Sequence, residues 1–431
     1  MRKRTILSLA LSLAAAAMLV PSLAFAQSLT IWHDLGDPGT KWFSEAGLEF
    51  AKQHPGASIR AISMPTDQWF GRSIGAINTD TAPDLLYNNY ERVIRVATQT
   101  GKIMDMKPVM AGIADKAFLA EDDLKVATFN GKMIILPIQR VQMAFGVRKS
   151  WLEKSGETFP VTIEDALRVA RKFQEGDPEG TGKGSVFGFG LEAAKPRDLI
   201  HMLDLFTFGA GLTHTLVDPT GAVVLDEPQH AKVLEEFLKI YTTYKLVPPD
   251  TINYSFGEMY QVIEGGRTGM FRVGDWNVAK WTTQAIKGDF VVGPWPQFFA
   301  DKPGRVVIGG MRGVAVPENA PNKALAVQFA TFLLGKPAQQ SALNLVGSAV
   351  RGDLDSSALP AQSKPFATPV WRLAAYDFPE ANVTWYPELE AAYHRKLLGA
   401  IANPPADFKA FIATTAAEMR VLAKTLSEKK G

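Results

Sequence analysis

Residues 28–64 read SLTIWHDLGDPGTKWFSEAGLEFAKQHPGASIRAISM. Leu29-Thr30-Ile31-Trp32 is a short β-rich run that ends in a Gly/Asp/Pro turn at Gly36 to Gly39. From Lys41 to Gln53, Phe43, Ala46 and Phe50 recur at helical spacing, and His54-Pro55-Gly56 stops that helix. Ser58 to Met64 is again strand-like, and Pro83-Asp84-Leu85-Leu86-Tyr87 is a third short strand entering the polar cluster Asn88-Asn89-Tyr90. Strands alternating with helices in this order predict a parallel α/β sheet with right-handed crossovers.

Downstream, the apolar runs Gly131 to Ile138 and Ala144 to Val147 flank Gln139-Arg140, where the chain is expected to cross between domains. Thr162 caps a helix, with Asp165 as its capping-box partner and Ala166, Ala170 and Phe173 on one face. A second α/β pattern follows, its clearest helix running from about Gln229 to Tyr244. Thr268 to Val273 and Phe290 to Val292 read as strands, each running into a Trp-bearing loop, at Gly274-Asp275-Trp276 and Gly293-Pro294-Trp295-Pro296. Another change comes near Arg305, where Gly309-Gly310 precedes the strand-like Gly313 to Val316. Pro321 opens an amphipathic helix, and the C-terminal stretch is read as two helices, one lined by Leu389, Tyr393 and Leu397 and the other by Phe408, Ile412 and Met419.

The chain has 431 residues, with 46 Lys and Arg against 44 Asp and Glu. Residues 1–26 hold three of the basic side chains and none of the acidic ones, leaving 43 against 44 in the remainder. This near-neutral balance argues against a nucleic-acid binder, which needs a basic stripe to compensate phosphates. A chain this long exceeds what one core organises, so two domains are expected. Cysteine is absent, which excludes disulfides, thiolate metal sites, Cys nucleophiles and lipidation at a cysteine. The N-terminus reads as an export signal: Arg2, Lys3 and Arg4 are the positive region, Ile6 to Leu23 the apolar one, and Ala24-Phe25-Ala26 the small-x-small cleavage pattern. Cleavage after Ala26 would release a soluble periplasmic protein. The alternative, an uncleaved membrane anchor, is disfavoured by Pro21 and by the cleavage pattern.

A set of short motifs then narrows the family. They are Thr30-Ile31-Trp32-His33, Ala82-Pro83-Asp84-Leu85-Leu86, Gly131-Lys132-Met133-Ile134-Ile135-Leu136-Pro137, and Glu264-Gly265-Gly266-Arg267-Thr268-Gly269-Met270 leading to Asp275-Trp276. Gly310-Met311-Arg312-Gly313-Val314-Ala315-Val316-Pro317 follows, and then Asn322-Lys323-Ala324. In this order, and over nearly all the mature chain, the sequence resembles the family 1 extracellular solute-binding proteins of ABC importers, in the branch of the maltose- and glycerol-phosphate-binding proteins. The resemblance implies an α/β fold of the type II periplasmic-binding-protein kind, with two lobes around a hinged ligand cleft. The expected division is residues 27–138 with about 304–348 as one lobe, and about 139–303 with 349–431 as the other. It also implies a monomeric, non-enzymatic protein without a cofactor, which carries a carbohydrate-like solute to a membrane permease.

Loops at the carboxyl ends of parallel strands are where ligands sit in such sheets. Trp32, His33, Asn88 and Asn89 are therefore expected at the cleft from the first lobe, and Asp275, Trp276 and Trp295 from the second. Four of the nine tryptophans, Trp32, Trp69, Trp276 and Trp295, lie in strand-end or loop contexts suited to stacking on a sugar ring. Trp385 is a further candidate, either for the ligand or for capping the helix after it, whereas Trp42, Trp151, Trp281 and Trp371 are expected in the core. Gln139, at the first crossing, and Gly310 and Met311 are further ligand-binding candidates, as are Arg140, Arg272, Arg312 and Arg351, which lie in or beside hinge or cleft segments. Arginine suits planar bidentate recognition of a carboxylate, a phosphate or paired hydroxyls, so the solute is expected to be a sugar or sugar derivative, neutral or acidic. Asp34, Asp67 and Asp275 could pair such arginines internally.

Other chemistries fail on inspection. Asp177 to Gly184 resembles a calcium loop, but Gly188 stands where a bidentate Glu is needed. The histidines lack metal-ligand spacing, and no nucleophile elbow or P-loop occurs. A secreted glycosidase or lyase using cleft carboxylates such as Asp34, Asp67, Asp84 or Asp275 is the competing hypothesis.

Overall fold

The computed structural model describes residues 27–430 apart from 116–118, 120–123, 125–126, 219, 368–372 and 375–384. The export segment and Trp371 lie outside the described residues, as does the side chain of Asp67.

The first half follows the strand and helix alternation read from the sequence. Strands β1 (Gln27–His33), β2 (Ala57–Ser63) and β3 (Leu85–Asn89) run parallel in the order β2-β1-β3, linked by helices Gly36–Gln53 and Thr66–Asn78. The first helix starts at Gly36, within the expected turn, and buries Trp42, Phe43, Ala46 and Phe50. Trp42 Nε1 donates to the Ala338 carbonyl at 3.0 Å, tying this helix to helix Lys336–Val346. Asp84 accepts from the Thr30 and Asn322 amides, both at 2.8 Å, and so locks β1 to the loop before helix Lys323–Phe332.

A small hairpin, β4 (Thr128–Phe129) with β5 (Lys132–Met133), precedes β6 (Leu136–Val147). The end of the first apolar run, Gln139-Arg140 and the second run thus lie on one continuous strand. In the second half β7 (Phe187–Gly190) pairs parallel with β8 (Thr268–Gly274), which pairs antiparallel with β6, and β9 (Val291–Gly293) also lies along β6. All seven residues of β8 are buried, as expected of a strand covered on both faces. The capping box at Thr162 and Asp165 starts helix Ile163–Gly176. Helices Tyr386–Ala402 and Phe408–Lys430 close the chain against helices Pro196–Gly209 and Pro228–Tyr241.

Strand β10 (Val306–Ala315) unites the halves. Its Arg312–Ala315 segment pairs antiparallel with β3, and it runs antiparallel to β6 from Leu136 to Met143, while β11 (Leu373–Ala374) pairs with its start. The order across the sheet is β2-β1-β3-β10-β6-β8-β7. Register shifts against β6 fall between Ile308 and Gly310 and between Arg312 and Gly313. Gly310 has φ +126°, a conformation side-chain-bearing residues avoid, so the sheet changes direction at a position that requires glycine. No helix among the described residues is long and apolar enough to cross a membrane.

Candidate functional site

A cleft of ≈ 590 Å³ opens beyond the carboxyl ends of β1, β3, β7 and β8. One wall carries Asp34 after β1, Asn89 at the end of β3, Glu91 and Arg92 from the first turn of helix Tyr90–Thr100, and Arg312 from β10. The other carries Glu192 after β7, Lys195, Arg197, Asp198 and His201 around the start of helix Pro196–Gly209, then Phe256, Arg272 and Trp276. Val141 and Met143 of β6 lie between them.

On the first wall the Asp34 carboxylate, 1% exposed, meets Arg312 Nη1 at 3.0 Å and Arg92 Nη1 at 3.1 Å. Arg92 Nη1 also donates to Asn88 Oδ1 at 2.9 Å, and Asn88 is fully buried. Asn88 therefore positions Arg92 from beneath the cleft surface. Asn89 Nδ2 donates to Glu91 Oε1 at 3.4 Å, whereas Asn89 Oδ1 and Glu91 Oε2 are buried without a hydrogen-bond partner.

On the second wall Arg272 Nη2 lies 2.8 Å from Glu192 Oε1, with the two side chains 4% and 2% exposed. The distance is that of an ion pair, yet the alignment is not that of a hydrogen bond, and Arg272 Nε, Arg272 Nη2 and Glu192 Oε1 all lack a hydrogen-bond partner. Burial pushes the Glu192 carboxyl up and the Arg272 charge opposes that shift. The guanidinium stacks over Phe256, 4.3 Å from its ring centre. Burial also holds His201 well below the usual histidine range, so it is neutral in the cleft at physiological pH. Trp276 is 38% exposed and sits in the first turn of helix Asp275–Thr283, not in a loop as read from the sequence. A Cβ on Gly274 would stand 2.4 Å from the indole of Trp276, so the ring lies back over this glycine and a side chain there would have to push it aside.

Behind the cleft a polar cluster joins the crossing strand to the segment around Ser348. Asp275 Oδ2 accepts from the Gln142 amide at 3.1 Å, Gln139 Nε2 donates to the Ser348 carbonyl at 2.9 Å, and the Ser348 hydroxyl donates to the Arg140 carbonyl. Burial raises the Asp275 carboxyl to about 7, against the lowering influence of the Gln142 amide, Ser348 and Arg312.

Of the residues expected at the ligand, Asn89, Arg272, Trp276 and Arg312 line the cleft, while Asn88, Gln139, Arg140 and Asp275 make the hydrogen bonds described beneath and behind it. The structure does not bring the others to the lining. His33 is fully buried, its Nδ1 accepting from the Leu35 amide and its Nε2 facing Thr40 Oγ1, both at 3.3 Å. Trp69 is fully buried and donates to the Trp32 carbonyl at 3.3 Å, and Trp32 itself is partly buried against the main core. Trp295 is buried among Phe145 and Phe206 and donates to the Met143 carbonyl at 3.2 Å. Met311 is core, and Gly310 serves the strand bend. Arg351 is held by Asp353 at 2.7 Å and Asp115 at 2.9 Å. Trp385 packs on the main core as the residue before helix Tyr386–Ala402. Trp42, Trp151 and Trp281 are core, as expected.

Sequence reasoning missed Arg92, Glu192, Lys195, Arg197, Asp198, His201 and Phe256. Arg92 carried a signal, since it stands four residues after Asn88 on the helix that leaves β3. Glu192 follows the short run Phe187–Gly190, whose two glycines hid a strand.

Comparison with known proteins places this geometry. The family described as bacterial extracellular solute-binding protein matches residues 36–340. Lipoprotein LipO of Bacillus subtilis (strain 168) is 25% identical over 114 residues, a match that spans 25% of this chain and only 23% of that relative's length. Among solved structures, maltose-bound MalE3 of T. maritima superposes with a TM-score of 0.72 at 18% identity, covering 92% of this chain and 99% of that one. The sugar-binding protein MalE of Xanthomonas citri gives 0.73 at 15% identity, covering 94% and 98%. A ribitol-bound ABC-transporter solute-binding protein of Agrobacterium radiobacter K84 gives 0.69 at 18%, covering 93% and 99%. The fold is thus that of the type II periplasmic binding proteins.

Proposed function

The chain belongs to the bacterial extracellular solute-binding proteins, and from that membership we propose that its cleft takes up a carbohydrate-like solute and presents it to the permease of an ABC importer. The observation that carries the carbohydrate reading is the pairing of one exposed indole, Trp276, with a cleft lining that holds both carboxylates and guanidiniums. An indole face covers the apolar face of a sugar ring, while charged side chains of both signs exchange hydrogen bonds with hydroxyls that both donate and accept. Maltose and ribitol, named with the similar structures above, belong to that chemical class.

The lobes are residues 27–138 with about 304–348, and about 139–303 with 349–431, so the chain crosses three times, at Gln139-Arg140, near Arg305 and after about residue 348. The pairing of β1 with β2 and β3 in the first half, and of β7 with β8 in the second, supports this division. Contacts made by both walls at once supply the differential affinity that closes the lobes on the solute. Residues 1–26 act as a signal cleaved after Ala26, the reading that Arg2, Lys3 and Arg4, the apolar run and Ala24-Phe25-Ala26 support. The mature protein acts in the periplasm as a monomer.

A thermal-shift and calorimetric screen tests the reading, using maltose, tagatose, glucose and ribitol beside glucuronate, ribonate and glycerol phosphate. A native-state ligand raises the melting point by linkage. Failure of every sugar and polyol to bind, or turnover of one, would reject it.

A further inference from the structure

We propose that Glu192 and Arg272 together form the specificity element of the cleft, reading two neighbouring hydroxyls of an uncharged solute and rejecting its anionic counterpart. The proposal rests on the carbohydrate reading above and goes beyond it by naming the residues that set ligand charge.

Both side chains line the cleft and are almost completely buried, and each retains hydrogen-bonding capacity that the protein does not use. Arg272 Nε is a buried donor without an acceptor, while Glu192 Oε1 and Arg272 Nη2 face each other as an ion pair without hydrogen-bond alignment, so each can still exchange a hydrogen bond with a ligand. Leaving such groups unsatisfied costs more than a surface contact can return, so they mark a position to be filled by a ligand. The acceptor Oε1 and the donor Nη2 lie 2.8 Å apart. Adjacent ring hydroxyls present a matching pattern, one donating to the carboxylate and the next accepting from the guanidinium. Phe256, stacked 4.3 Å from the guanidinium carbon, holds the plane of Arg272 in place.

The same pair discriminates by charge. An acidic ligand brought to Arg272 meets the Glu192 carboxylate at the same point, and that repulsion opposes the attraction. The first wall repeats the arrangement, because Arg312 and Arg92 are already engaged by Asp34.

The test compares glucose with glucuronate, and ribitol with ribonate, by calorimetry on the wild-type protein and on Glu192→Gln, with melting curves to establish that the variant is folded. The wild type is expected to prefer the uncharged member of each pair. Glu192→Gln is expected to bind that member about 10- to 100-fold more weakly, the worth of a hydrogen bond to a charged group, and to shift its preference toward the acid. Single-deoxy analogues of the best uncharged ligand, tested on the wild type, should lose affinity at two neighbouring positions; this arm decides the matter if the variant does not fold. Wild-type preference for the acid, an unchanged preference in folded Glu192→Gln, or sensitivity to no neighbouring pair of hydroxyls would overturn the proposal while leaving the carbohydrate reading intact. Binding of none of these compounds would instead reject both.

Discussion

Arg312 Nη1 lies 3.0 Å from Asp34 Oδ1 although 278 positions separate the two residues. The bond joins β10 to the residue after β1, across the intervening β3, and the same carboxylate also holds Arg92. One acidic side chain thus balances two guanidiniums at the cleft rim. Asp34→Ala should therefore leave two partly buried cations without the carboxylate they share, Arg92 keeping its bond to Asn88. The expected loss is about 2–3 kcal/mol, less than for a fully buried pair because Arg312 and Arg92 keep some solvent contact. Chemical denaturation of the variant against wild type measures it, and a loss near zero would mean that water already screens the network.

Trp276 and Trp295 make a matched experiment. Trp276→Ala should leave stability nearly unchanged but weaken solute binding roughly 10- to 100-fold, equivalent to about 1.4–2.8 kcal/mol. Trp295→Ala should do the reverse and cost about 3–5 kcal/mol of stability, as for other fully buried aromatics. Gly274→Ala should act on binding through Trp276, since its methyl group would displace the indole. Melting curves and fluorescence titrations separate these effects, and equal behaviour of the two tryptophan variants would contradict the assignment.

Stability should respond to pH through two buried groups of opposite sign. Asp275 titrates near 7 when folded but near 3.8 when unfolded, so between these values the native state holds a proton that the unfolded chain has released. Its contribution therefore falls as pH rises through that window. His33 titrates near 4 when folded against 6.5 when unfolded, so the unfolded chain binds the extra proton and stability is lost as pH falls from about 6.5 to about 4. Urea denaturation at pH 5 and pH 8 should show Asp275→Asn gaining relative to wild type at the higher pH. His33→Gln should gain relative to wild type at the lower one.

Closure can be probed at the strand bend. Gly310→Ala places a side chain at φ +126° and is expected to cost about 1–3 kcal/mol. Ligand-induced compaction, measured by small-angle scattering with and without a saturating sugar, should be seen in wild type and reduced in this variant. Identical wild-type profiles in the two conditions would exclude hinge closure.

Much of the architecture was legible without coordinates because its determinants are local or repetitive. Phe43, Ala46 and Phe50 announce a helix by spacing alone, Thr162 and Asp165 form their cap within one turn, and the ordered motifs from Thr30 to Ala324 carry the family. The role of each aromatic and each arginine was not legible. Trp276 and Trp295 both follow a strand ending in glycine, yet one faces the cleft and the other donates to the Met143 carbonyl inside the core. Arg272 and Arg351 look alike in sequence, but one finds Glu192 within the cleft and the other finds Asp353 and Asp115 away from its lining. Helical and strand periodicity is set by neighbours a few residues away, whereas which charge a guanidinium meets depends on strands brought together over hundreds of residues. Only the folded sheet, with β10 lying between β3 and β6, decides that.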